Sequence, residues 1–214
     1  MVSGIVGLRQ LIINFTGAQD HAGATAMVDR RDAAFAAMRF GTKVDELFRE
    51  AALTAQGLVW TIGQLKLTPN APSIVPGHAR VLFQFRDEDE ATLDALEAIV
   101  HEVARAAAPP CEMVCATHRN PVRAVPMDGT LQAHVVGAAR KHTGADGWVT
   151  LPSGAVHDAA NVARCMPASM LFVPSINGVS HDFTEDTHED DIALGAQVYV
   201  SAAAHMLSSW RGMT

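Results

Sequence analysis

The chain has 214 residues, 49% of them apolar and 18% charged, and a formal net charge of −7. This length accommodates one large domain or two small ones, and an acidic balance with scattered Lys and Arg excludes the clustered cations that hold nucleic acid. No run approaches the roughly 20 apolar residues that span a bilayer, and the opening MVSGIVGLRQ has neither a basic leader nor a long apolar core. A cytoplasmic protein with no membrane partner is therefore expected. Cys111, Cys115 and Cys165 are odd in number and contain no Cys-x-x-Cys, so they are expected to be reduced core thiols.

In chain order, Arg9 to Thr16 (RQLIINFT) is a β-rich run ending at Gly17, where a loop bearing His21 begins. From about Val28 to Ala55, apolar residues such as Ala33, Ala37, Val44, Leu47 and Phe48 recur at helical spacing. Gly41 inside this helix costs about 1 kcal/mol relative to alanine, which predicts a bend or a close contact there. Val59 to Leu67 and Arg80 to Arg86 read as paired strands. The intervening PNAPSIVPG, with its three prolines, reads as a loop. Ala91 to Ala107 is a second helix with Leu93, Leu96, Ile99, Val100 and Val103 on its apolar face, and Cys111 to Thr117 a last strand. Strand, helix, strand, strand, helix, strand is the split βαβ order of ferredoxin-like domains, with both helices on one sheet face.

From about Pro121 the pattern becomes α/β: helix Gly129 to Lys141, strand Trp148 to Leu151, helix His157 to Arg164, strand Met170 to Val173 and helix Asp190 to Trp210. Three histidines sit in loops rich in small residues: His21 in TGAQDHAGATAM, His157 in LPSGAVHDA and His181 in VPSINGVSHDFTEDTHEDD. Gly and Ser beside a histidine allow close approach of backbone and ligand. Neutral imidazole is a common metal ligand, and Gly178 and Ser180 leave room around His181; on residue type alone, a loop histidine bonded to a nearby carboxylate accounts for it equally well. The acids from Asp186 to Asp191 read as a helix start, with Thr187 and Asp190 in a capping-box-like arrangement. Ser153, His157 and Asp158 do not make a serine hydrolase, since the G-x-S-x-G elbow is missing.

HAG-x-T-x-M followed by RRDA, then VPG and F-x-FR, then SGA-x-HDA, then FVPS-x-x-G-x-SH-x-x-x-E, in this order over nearly the whole chain, resembles the dinuclear-metal amidohydrolases. These are N-carbamoyl-L-amino-acid hydrolase, allantoate amidohydrolase and β-ureidopropionase, within the aminoacylase and carboxypeptidase superfamily. The resemblance implies a ferredoxin-like βαββαβ lid and dimerisation domain over 7–117, flanked by 1–6 as a remaining strand and 118–214 as the C-terminal part of an α/β metallohydrolase domain. It implies that His181 is a metal ligand and that Glu185 is its paired acid, orienting a ligand or shaping the pocket. His21 is implied to reach across the dimer to the oxyanion-like state formed when the ureido carbonyl is attacked. Arg86, from the same partner lid, is implied to grip the substrate carboxylate, with Ser73 standing where the family usually carries an asparagine. His157 and its neighbour Val156, a position usually glycine, are implied substrate contacts at a helix N-terminus. Ala26 replaces a common proline.

The family's first half carries a His-x-Asp, a Glu-Glu pair and a further His, which supply most metal ligands and the general base. This chain has no Glu-Glu, and its only His-x-Asp, His188 with Asp190, falls elsewhere. The expectation is therefore a portion of an amidohydrolase acting on a carbamoyl or ureido carbon–nitrogen bond. It would work with two divalent ions, zinc or manganese, in the intact enzyme, but with little or no metal and activity alone. Its partners would be a small ureido or carbamoyl substrate and a second copy bound through the lid. A non-catalytic homodimerising module, or part of a related aminoacylase or peptidase, are the alternatives.

Overall fold

The computed structural model describes residues 1–55 and 57–211. Its strands in chain order are β1 (Val2–Ile5), β2 (Gly7–Thr16), β3 (Asp20–His21), β4 (Val59–Thr68), β5 (Ile74–Val75), β6 (His78–Asp87), β7 (Glu112–Thr117), β8 (Val125–Pro126) and β9 (Leu151–Ser153). The α-helices are α1 (Ala33–Ala52), α2 (Glu90–Ala107), α3 (Gly129–Thr143), α4 (Ala159–Val162) and α5 (Glu189–Arg211). Contacts divide the chain into two compact units, one of residues Val6–Ala124 and one of Met1–Ile5 with the chain from Val125 onward. Both mix helix and sheet.

In the first unit four strands lie in the order β4-β6-β2-β7, every neighbouring pair antiparallel. Side chains of a strand alternate between faces. Accordingly Leu11, Ile13 and Phe15 of β2 stand opposite Phe83, Val81 and Ala79 of β6, all inward and buried. Onto this face α1 contributes Phe40, Val44 and Phe48, and α2 contributes Leu93, Leu96, Val100 and Val103. Phe48 meets Phe83 and Phe85 edge-on with ring centroids 5.2 Å apart, a geometry that adds to burial. Asp32 starts α1 by accepting the amides of Ala34 and Phe35, and Asp89 starts α2 by accepting that of Thr92. The first helix thus begins later than Val28, whose segment forms instead a short 3₁₀ turn, Met27–Asp29. A Cβ at Gly41 would lie 3.2 Å from the Ile62 side chain of β4, so the glycine sits at a close approach of helix to sheet.

Among the described residues, Arg9 is the one buried cation of this unit. Its guanidinium, 6% exposed, meets Glu90, Asp94 and Glu97 of α2 at 2.9, 2.7 and 3.2 Å, so one arginine clips helix to sheet. The chain after β7 stays with the unit, Leu8 and Val122 exchanging backbone hydrogen bonds.

The second unit has a small sheet, β8-β1-β9, with β1 antiparallel to β8 and parallel to β9. Helices α3 and α5 pack through Val135, Ala138, Ala139, Val198 and Ala202. Several expectations differ here. Met170–Val173 is not a strand, although the Met170 carbonyl accepts the Val2 amide at 3.2 Å. The strand expected at Trp148–Leu151 is formed by Leu151–Ser153, and the helix expected over His157–Arg164 is reduced to the four residues of α4. At α5 the His188 carbonyl accepts the amides of Asp191 and Ile192, so His188, not Thr187, occupies the capping position. Cys165 is exposed rather than in the core. No helix among the described residues is long and apolar enough to cross a membrane.

Candidate functional site

The candidate residues fall into two groups, one in each unit. In the four-stranded unit, the loop that leaves β2 at Gly17 is pinned at both ends. The Gly17 amide bonds the Gly77 carbonyl and the Ala18 amide bonds that of Arg31, each at 2.8 Å. A Cβ at Gly17 would sit 1.8 Å from the Arg31 carbonyl oxygen, so only glycine fits. Beyond it, β3 and β5 pair, with His21 opposite Ile74 and Asp20 opposite Val75. The Ala22 amide donates to the Ser73 carbonyl at 2.9 Å. The structure thereby brings His21 and Ser73 together through a strand pair within the proline-rich segment that reads as a plain loop.

The His21 ring is exposed, and its Nδ1 accepts the Gly23 amide at 3.0 Å. A neutral imidazole so engaged carries its proton on Nε2 and offers it as a donor. The His21 carbonyl accepts the Thr25 hydroxyl at 2.8 Å. Arg30 then laces the turn, bonding the Thr25 carbonyl at 3.1 Å and the Ala22 carbonyl. Arg30 opens the RRDA motif, but its role was not foreseen there, since it depends on which carbonyls the turn presents.

Arg86 is not part of this cluster. It lies near the far end of β6, opposite Leu8 and Val59, whereas His78 at the other end adjoins the His21 loop. Eight strand residues at about 3.3 Å each put roughly 26 Å between His78 and Arg86.

In the other unit, Ser153 is buried with its hydroxyl on the Ala155 carbonyl at 2.8 Å, and Val156 and His157 project outward. His157 Nδ1 accepts the Ala159 amide at 3.1 Å. That bond consumes one of the amides expected to meet a substrate anion, and α4 is a single turn. With Asp158, His157 edges an apolar cleft of about 830 Å³ between α3, α4 and α5.

His181 stands in left-handed backbone, φ 59°, as does Asn177 at φ 57°. A side chain in that region is uncommon and marks a conformation held by its surroundings. The holder is Glu185, whose carboxylate accepts the His181 amide at 2.8 Å, so its visible contact is with the backbone rather than with the ring. Asp182 closes the turn between them, accepting the Thr184 amide and hydroxyl at 2.9 and 2.7 Å. Those two bonds hold its carboxyl below the ordinary carboxylate value. The His181 ring is left exposed. Among the described residues no three His, Cys, Asp or Glu side chains form a group able to hold a metal ion. The three protein ligands a catalytic zinc takes are therefore not assembled here, and His181 is at most one of them.

The chain is 31% identical over 198 residues to an N-carbamoyl-L-amino acid amidohydrolase of Geobacillus stearothermophilus, covering 92% of this chain and 47% of that protein. It is 30% identical, with the same coverage, to an allantoate amidohydrolase of Escherichia coli. A crystal structure of an amidase of the hydantoinase/carbamoylase family from Burkholderia phymatum superimposes with a TM-score of 0.87 at 36% identity, over 97% of this chain and 50% of that one. The chain spans about half the length of the curated relatives it matches. The family model for peptidase family M20/M25/M40 matches residues 8–205, and the chain belongs to that family.

Proposed function

We propose that this chain supplies the lid and the C-terminal part of a metal-dependent amidohydrolase that cleaves a carbamoyl or ureido carbon–nitrogen bond in a small substrate such as an N-carbamoyl amino acid or allantoate. The observation that carries this reading is the similarity, over 92% of the chain, to relatives named as amidohydrolases of those substrates.

In this reading the unit Val6–Ala124 is a ferredoxin-like lid and dimerisation domain; the strand order and the two helices on one face support it. Its self-association edge is β4, a ten-residue edge strand with Val59, Ile62 and Leu65 exposed next to exposed Phe35 and Met38 of α1. An uncovered apolar edge of that length invites pairing. His21 donates from Nε2 to the oxygen that gains charge when the substrate carbonyl is attacked, and Arg86 holds the substrate carboxylate in a bidentate pair. A small substrate does not bridge the length of β6, so a single substrate takes His21 with Ser73 from one lid and Arg86 from the other. His157 and Val156 contact the substrate, and Glu185 fixes the backbone that presents His181 to metal. Zinc or manganese, two ions in the intact enzyme, would polarise the carbonyl and activate water when bound; the remaining ligands come from outside the described residues.

The test is ammonia release from N-carbamoyl amino acids and allantoate, compared with acetate release from N-acetyl amino acids, by a parent polypeptide carrying both halves. Faster turnover of the acetylated series overturns the carbamoyl assignment in favour of an aminoacylase. Elemental mass spectrometry of the 214-residue chain, loaded with zinc or manganese and desalted, is expected to find almost no metal. Two tightly held ions per chain would mean a complete site and sink the partial-site reading.

A further inference from the structure

The four-stranded sheet packs both helices on one face. Among the residues that alternate onto the other face are Lys66 of β4 and Arg80 of β6. The register sets them directly opposite each other, with Asn14 of β2 on the far side of Arg80. Opposed side chains of an antiparallel pair stand about 5 Å apart, and like charges there work against the pairing. Both cations are exposed. Elsewhere in the unit Arg9, Arg31, Lys43 and Arg49 each meet a carboxylate within 3.4 Å, but among the described residues neither Lys66 nor Arg80 meets one.

The composition of the strands accounts for this. Neither β2 nor β4 holds an Asp or Glu, and the one acid of β6, Asp87, is buried. β7 adds Glu112, which lies two strands from Arg80 and pairs with Arg31. In a chain of net charge −7 this face is thus a cationic strip, and uncompensated cations side by side draw in an anion. Arginine offers a carboxylate a planar fork and lysine a point charge. The face carries no Phe, Tyr or Trp, since Trp60 lies against Phe48 on the helical side. It therefore lacks the stacking platform of a nucleic-acid surface. Along β6 the same alternation puts Arg86 on this face about 20 Å from Arg80, and His78, at the end that adjoins the His21 loop, about 7 Å away in the other direction.

We propose that Lys66 and Arg80 form a capture site for a small organic carboxylate, which in the intact enzyme collects the anionic substrate before His21 and Arg86 engage it. The carboxylate accepts from the Arg80 fork and from the Lys66 ammonium, and its charge relieves the opposition of the two cations. The proposal rests on the hydrolase reading only for the identity of the anion.

The probe is succinate, titrated into the isotope-labelled 214-residue chain at constant ionic strength, with arginine Nε–Hε and backbone signals followed by nuclear magnetic resonance. A saturable shift at Arg80, Lys66 and Asn14 is expected, and none with succinamide, which has the same skeleton without the charge. Arg80→Gln should weaken binding about fivefold. Lys66→Glu should abolish it while the chain stays folded, because the new carboxylate opposes Arg80 and favours the strand pair. Arg105→Gln removes one charge from α2 on the helical side and should change nothing. No saturable shift at Arg80, binding unchanged by Lys66→Glu, or equal shifts at Arg105 that mark general screening overturns the proposal. In a parent polypeptide carrying both halves, Arg80→Gln should lower kcat/KM for N-carbamoyl amino acids and flatten its dependence on salt; an unchanged salt dependence overturns the capture role. Succinate binding at Arg80, with no ammonia released by the parent from any carbamoyl substrate, keeps the anion site and removes the hydrolase reading.

Discussion

Replacing Arg9 by methionine tests whether α2 is held to the sheet by charge or by packing alone. The substitution keeps the length of the apolar stem while removing the guanidinium that meets Glu90, Asp94 and Glu97 at 2.9, 2.7 and 3.2 Å. Removing one partner of a buried ion pair costs about 3–5 kcal/mol. Here Glu90 is 34% and Asp94 73% exposed, so water partly recovers those carboxylates and about 3 kcal/mol is the expected loss. With a urea m-value near 1.5 kcal/mol/M, that moves the midpoint down by about 2 M. The assay is urea unfolding followed by fluorescence of Trp60, which packs on Phe48 in the same unit, with Trp148 and Trp210 replaced by phenylalanine so that only this unit reports. Adding Glu90→Gln and Glu97→Gln should return part of the loss, because it removes the carboxylates left facing one another. Arg49→Ala, which breaks the exposed pair with Asp45, should leave the midpoint unchanged. A shift below about 0.5 M for Arg9→Met, or no recovery in the combined variant, would refute the clip and assign the docking of α2 to its apolar face.

Three other outcomes follow from the geometry. His181→Gly suits the left-handed backbone at φ 59°, so it should leave the loop folded while abolishing turnover by the parent enzyme; retained turnover would remove His181 from the metal site. Glu185→Ala should raise amide exchange at His181 about fivefold, the equivalent of the ~1 kcal/mol hydrogen bond lost, as read by deuterium exchange. Gly17→Ala should destabilise the His21-bearing unit by about 2–3 kcal/mol or prevent its folding, since the methyl meets the Arg31 carbonyl; an unchanged melting curve would contradict the pinned loop. Among the thiols, burial and then the charge of Glu97 push Cys115 up to about 11 from its ordinary 9.0. Exposed Cys165 should therefore react first with an aromatic disulfide at pH 8. A folded pKa above the unfolded value means that this stabilising contribution is complete below pH 9.0 and fades as pH rises toward about 11, so Cys115→Ala should flatten the alkaline side of the stability profile.

Elements whose residues carry their own period were legible before any contact was known. Leu11, Ile13 and Phe15 alternate in β2 because a strand with one covered face must alternate, and Leu93, Leu96, Val100 and Val103 repeat at helical spacing in α2 because one stripe faces the sheet. The motifs around His21, His157 and His181 were legible as well, since small residues and a histidine in a fixed order survive without any knowledge of contacts. The rest depended on long-range packing. Met170–Val173 touches β1 through the single bond of the Met170 carbonyl to the Val2 amide, while β1 takes its strand partners from β8 and β9. The pairing of β3 with β5 inside a proline-rich stretch arises between residues distant in sequence, and the lacing of the nearby His21 turn by Arg30 depends on which carbonyls that turn presents. Hydrogen bonds of that kind are set by where the backbone is brought, and local pattern has no term for them.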